Sequence, residues 1–253
     1  MLVQKVSTFP DELGANVKFF NPFGPNILHY TLQPDILKKC LDCINDYRGN
    51  REVIEKLKSE GQIVQGSRAI ENQSNSIIDG EMLTLDQEFQ EKYYDNIFKD
   101  VISVSCYNYG LQSAMASIDD IGMREVEDDY FASIEHNVES MEVEIKDCWF
   151  VALKEGDFHI LHEHNHGGVL LSGGIYLDVP DKPWPQGNMN WIVNGNSASM
   201  FNASWGVQPK AGDVFVWPSW IKHSVYPFKG EGERLMVSFN SILTIIKDGN
   251  ESV

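Results

Sequence analysis

The hydrophobic pattern changes period near Asp147, and that change constrains the fold more than any other feature of the chain. From Cys148 onward, apolar residues come in short or alternating runs broken by glycine, proline and asparagine, the pattern of half-buried strands joined by tight turns. Strands are expected over 148–153, 158–164, 174–179, 190–193, 213–217 and 234–242. Turn residues punctuate them at Glu155-Gly156, 180–187, Gly195, 209–212 and 230–233. Short strands so evenly spaced close into a sandwich or a jelly roll.

The first 147 residues read differently. Pro34 and Asp35 suit a first helical turn, and Ile36, Leu37, Cys40, Leu41, Ile44 and Tyr47 recur at helical spacing, which predicts a helix to about Tyr47. A second helix is expected from Asp86 to Ser103, with Phe89, Tyr93, Ile97 and Val101 on one stripe, and 65–80 reads as polar loop. The expectation is an α+β chain: a helix-rich portion, 1–147, packed on a β core, 148–253, the two forming one structural domain.

Composition narrows the function. The 253 residues carry 20 Lys and Arg against 37 Asp and Glu, a net charge of −17, so the average surface repels nucleic acid and anionic lipid. The stretch 119–147 holds eleven acids against Arg124 and Lys146 and reads as a solvated acidic face. Neither a secretory leader nor an 18-residue apolar span is visible, so a cytoplasmic protein is expected, with no membrane and no nucleic-acid partner. Of four cysteines, only Cys40 and Cys43 are close, and their helical neighbours make them core residues rather than half of a zinc or redox site.

Four of seven histidines fall at 159, 162, 164 and 166. An extended chain would put Phe158, Ile160, His162, His164 and His166 on one face, so that neighbouring imidazoles converge on one point. A metal site needs a further ligand, and His223, after the apolar run 213–217 and Pro218, supplies one from another strand. Arg234 opens the last apolar strand, where a buried guanidinium is costly unless an anion pairs with it. Two registers remain open for the paired ligands, His162 with His164 or His164 with His166. The first is preferred, because an insertion is better tolerated in the 165–171 loop than inside the preceding strand.

These segments together (149–164, Ser172-Gly-Gly-Ile-Tyr-Leu177, 215–227 and 234–240) resemble the Fe(II)- and 2-oxoglutarate-dependent oxygenases, in particular the bacterial and phage branch related to prolyl hydroxylases. The resemblance implies a double-stranded β-helix, or jelly roll, buttressed by N-terminal helices. It implies iron ligands at His162, His164 and His223, an arginine at Arg234 for the far carboxylate of 2-oxoglutarate, and a phenol at Tyr176 in the co-substrate pocket. Most of the superfamily pairs histidine with aspartate or glutamate, whereas this chain reads His-x-His, as does the branch it resembles; the implied site has three histidines.

The cofactors so implied are Fe(II), 2-oxoglutarate as co-substrate and dioxygen, and the implied reaction is hydroxylation of a small-molecule, protein or peptide substrate with release of succinate. The residues leave the substrate and the oligomeric state open. Two rivals remain: a cupin-like metal enzyme, disfavoured because no glutamate follows His164, and a non-catalytic jelly-roll binding module. Trp184, Trp191, Trp205, Trp217 and Trp220 could line an apolar cleft, although core or rim packing is the commoner use of such residues.

Overall fold

The computed structural model describes residues 3–5, 14–20, 26–49, 52, 59, 63–65, 78–79, 81–84, 97–120, 138–193 and 204–247. Their strands are β1 (Val3–Lys5), β2 (Gly14–Phe20), β3 (Ile27–Leu32), β4 (Ile63–Gln65), β5 (Ile78–Asp79), β6 (Glu81–Thr84), β7 (Val138–Leu153), β8 (Phe158–His162), β9 (Leu171–Asp178), β10 (Met189–Ile192), β11 (Ser204–Val207), β12 (Asp213–Pro218), β13 (Lys222–Val225) and β14 (Arg234–Lys247). Two helices, α1 (Pro34–Gly49) and α2 (Phe98–Asp120), complete the elements.

The strands pair into two antiparallel sheets, one in the order β1-β2-β3-β12-β9-β14-β7-β6-β4 and one in the order β11-β10-β13-β8-β5. This is a jelly roll with helices on its outside. One core layer lies between the larger sheet and the helices, where Cys40, Ile44 and Tyr47 of α1 and Phe98, Val101, Ile102, Cys106 and Tyr109 of α2 meet Phe150, Ile175, Val214 and Val237. The other lies between the sheets, built from Tyr176, Met189, Trp191, Phe215, Trp217, Val225 and Met236. Period-two alternation sends Ile175 and Leu177 outward to the helices and Tyr176 inward. Arg48, in the last turn of α1, grips Glu233 through two bonds of 2.7 and 2.9 Å, tying the helix to the residue before β14.

The helix-rich reading of the first half missed strands. β3 lies inside the larger sheet, between β2 and β12, while β4, β5 and β6 have only two to four residues, too few to show a period. Gln65 and Ile78-Asp79, expected in a polar loop, are strand residues; 66–77 lie outside the described residues. Of the helix expected over 86–103, residues 86–96 lie outside the described residues, and α2 begins at Phe98 and continues to Asp120. Its stripe was hidden because buried Ser105 and Asn108 stand on it, each bonded back to the carbonyl four residues earlier, at Val101 and Val104. β7 starts ten residues before Cys148, and the acids Glu142 and Glu144 are its exposed face, alternating with half-buried Val143 and Ile145.

Cys40, Cys43, Cys106 and Cys148 are thiols not joined in disulfides. Burial pushes Cys40 and Cys106 up to about 12 and Cys43 up to about 11, which suits core residues and not nucleophiles. Among the described residues, no helix is long and apolar enough to cross a membrane.

Close packing around β9 yields one sharp expectation. A Cβ at Gly173 would overlap the Phe239 ring on the neighbouring strand, and that ring is fully buried. Gly173→Ala should therefore destabilise the fold by about 1–3 kcal/mol, read as a lower urea midpoint at unchanged m-value.

Candidate metal and anion site

β8 and β13 are neighbours, with His162 directly opposite His223. His164 lies just past the end of β8, its backbone N–H donating to the Ser219 carbonyl at 2.9 Å, so the loop is pinned to the turn before β13. One ring nitrogen from each of His162, His164 and His223 lies within 4.8 Å of the others, a set that could hold a metal ion. After the ligands, Gly167 and Gly168 turn the chain at φ of 58° and 80°, angles that favour glycine. His166 is exposed on this loop and is not one of the three.

Two of the rings have their orientation fixed. Nδ1 of His162 lies 2.8 Å from the Ile160 carbonyl oxygen and Nδ1 of His223 lies 3.1 Å from that of Ile221. A carbonyl only accepts, so Nδ1 carries the proton in both rings and Nε2 keeps its lone pair. Nε2 of His162 is buried with no partner. Burial is the first cause that holds all three imidazoles below their ordinary value, with neighbouring imidazoles adding at His164 and His223; His164 is pushed down to about 3. Three neutral nitrogen donors are what a first-row divalent cation such as Fe(II) requires, and the set fits it.

The same cavity holds a guanidinium. Alternate residues of β14, namely Arg234, Met236 and Ser238, line it together with the three histidines, Trp149, His159, Ser172, Met189 and Trp217, around roughly 380 Å³ of space that includes open solvent. Arg234 is 1% exposed. Its Nη2 donates to the Tyr176 hydroxyl at 3.1 Å, while Nε and Nη1 are buried without partners. The Tyr176 hydroxyl in turn donates to the Met189 sulfur at 3.1 Å, and the guanidinium carbon stands 4.8 Å from the ring centroid. Tyr176 is thus the support behind Arg234, and the two orphaned donors fit an anionic oxygen.

The sequence reading placed the wrong residues beside His162. β8 passes three residues, 159 to 162, while β13 passes two, 223 to 225, so β8 carries a bulge. The bulge reverses the alternation: Ile160 and Leu161 are exposed, whereas His159 is buried with its ring stacked on His162 at 3.9 Å. Strict alternation would have put His159 on the far face. Of the tryptophans, Trp217 lines the cavity, Trp191 is buried with Trp205 stacked on it at 5.1 Å, and Trp184 and Trp220 are exposed.

A family model described as "Putative 2OG-Fe(II) oxygenase" matches residues 147–240. The chain is similar to a Pseudomonas putida prolyl-4-hydroxylase, with 14% identity over 85% of this chain and 92% of that one, at a TM-score of 0.43. It is also similar to a Trichoplax adhaerens prolyl hydroxylase in complex with a hypoxia inducible factor oxygen degradation domain peptide fragment, at 15% identity, 85% and 82% coverage and a TM-score of 0.47. A third is SnoN, a non-heme alpha ketoglutarate dependent epimerase from nogalamycin biosynthesis, at 12% identity, 88% and 80% coverage and a TM-score of 0.49. No curated protein matches the chain.

Proposed function

We propose that this chain, whose residues 147–240 match the 2OG-Fe(II) oxygenase model, is a member of that family and a hydroxylase that holds Fe(II) on His162, His164 and His223 and grips 2-oxoglutarate with Arg234. The carrying observation is the buried guanidinium with two unpaired donors in the same cavity as the three imidazoles. A cupin-like metal enzyme has no use for that arginine.

Each residue's task follows from its surroundings. The Ile160 and Ile221 carbonyls hold two imidazoles with Nε2 free, so those ligands are pre-oriented before any ion arrives. Arg234 takes the far carboxylate through Nε and Nη1, because Tyr176 already occupies Nη2. Val151, Met189, Val225, Met236 and Phe239 give the cavity apolar walls that limit water. When bound, iron and 2-oxoglutarate would supply oxidative decarboxylation to succinate with use of dioxygen, coupled to hydroxylation of a peptide or small-molecule substrate. Residues 148–253 form the catalytic core in this reading, and residues 1–147 support it.

Anaerobic titration tests the proposal. Wild-type protein should bind one Fe(II) and develop a visible absorption band on adding 2-oxoglutarate. His223→Ala should bind iron at least about 100-fold more weakly, since a first ligand matters more than the outer partners, whose loss already costs 10–100-fold. A wild-type protein that takes up no stoichiometric iron, or whose iron ignores 2-oxoglutarate, rules the reading out.

A further inference from the structure

One buried polar side chain in the cavity has no task in the mechanism above. His159 is 8% exposed, its Nε2 is buried without a partner, and it lines the cavity that contains the metal ligands and Arg234. It stands outside the group of nitrogens that can share one ion. Its ring stacks on His162 at 3.9 Å and 26°, so it sits at the metal end of the cavity that it lines together with Arg234. The β8 bulge is what brings it inward; without the extra residue, His159 and His162 would face opposite sides.

We propose that His159 is a co-substrate-binding residue: its Nε2–H donates a hydrogen bond to the oxoacid end of 2-oxoglutarate, the end opposite the carboxylate taken by Arg234. The inference rests on the reading of this site as an Fe(II) and 2-oxoglutarate centre. A buried ring nitrogen with no partner in the free protein is a cost, one that an arriving oxygen anion removes when Nε2 carries the proton, and the cavity is otherwise arranged to receive an anion. The stack on His162 holds the imidazole plane, so the donor is aimed before the ligand binds. The metal set stays at three nitrogens.

Two probes separate the ends of the co-substrate: 2-oxoglutarate, with a carboxylate for Arg234, and pyruvate, a 2-oxoacid without one. Binding of both to the anaerobic Fe(II) protein is measured for wild type, His159→Phe, which keeps a stacking ring without a donor, His159→Gln, which restores a donor, and Arg234→Ala. His159→Phe should keep one iron per chain and bind both probes about 10- to 100-fold more weakly, with His159→Gln recovering most of the loss. Arg234→Ala should weaken 2-oxoglutarate alone. His159→Leu provides a second donor-free variant should the phenylalanine not fold, and bound iron reports an intact site in each. Unchanged affinity for both probes in the donor-free variant overturns the inference while the site reading stands, and so does loss of iron, which would make His159 a ligand. A wild-type protein that binds iron and neither probe overturns both.

Discussion

Replacing Arg234 with methionine is expected to raise the stability of the ligand-free protein while weakening 2-oxoglutarate binding about 100-fold or more. The guanidinium is 1% exposed, sits over the Tyr176 ring and has one hydrogen-bond partner for its five N–H groups. Burial pulls its pKa below the ordinary arginine value, the mark of a charge held where it is poorly solvated. Exchanging buried charged groups for apolar side chains of similar size is often neutral or stabilising by about 1–4 kcal/mol. Methionine is flexible enough to fill the space beside Met236, and the Tyr176 hydroxyl keeps the Met189 sulfur as acceptor. At this chain length each kcal/mol shifts Tm by about 2–4 °C. Calorimetry on the metal-free protein and a 2-oxoglutarate titration on the iron-loaded protein measure the two halves. A variant that loses 3 kcal/mol or more would show that the guanidinium is a structural tie and not an anion site.

That trade of stability for a waiting charge explains why the site was more legible than the scaffold. Arg234 and the four clustered histidines are side chains that a packed jelly roll would not choose, and their chemistry marks them even where the register is open. His162, His164 and His223 come together, and the lone arginine lies in their cavity. The β8 bulge was not legible, because no residue type announces an extra residue between His159 and His162, and one residue reverses every later side chain. A second such irregularity, opposite Asn240 and Ser241 of β14, lets Ile145 and Cys148 of β7 both face the helices although their numbers differ in parity. Strands of the C-terminal half showed themselves because their turns carry glycine and proline. β3 did not, because it is covered on both sides by strands and its run is only six residues.

Acid should destabilise the metal-free protein steeply, beginning near pH 6.5. His159, His162, His164 and His223 are all held below the ordinary histidine value, first by burial, and His164 is pushed down to about 3. In the unfolded chain each titrates near 6.5. Between those values the unfolded state takes up protons that the fold refuses, so stability is full above about pH 6.5 and falls as the pH drops below it. One such histidine contributes a slope of about 1.4 kcal/mol per pH unit. At pH 5.5 the four together should cost roughly 4 kcal/mol, allowing for the partial exposure of His162, against a typical total of about 5–15 kcal/mol. Carboxylates with ordinary values near 4 are still ionised at that pH and add little to the change. Urea midpoints measured in chelator at pH 7.5 and 5.5 should therefore separate widely, and His159→Phe should reduce the separation by about a quarter. A flat profile would mean that the imidazoles are protonated inside the fold, and a protonated imidazole has no lone pair to offer a metal.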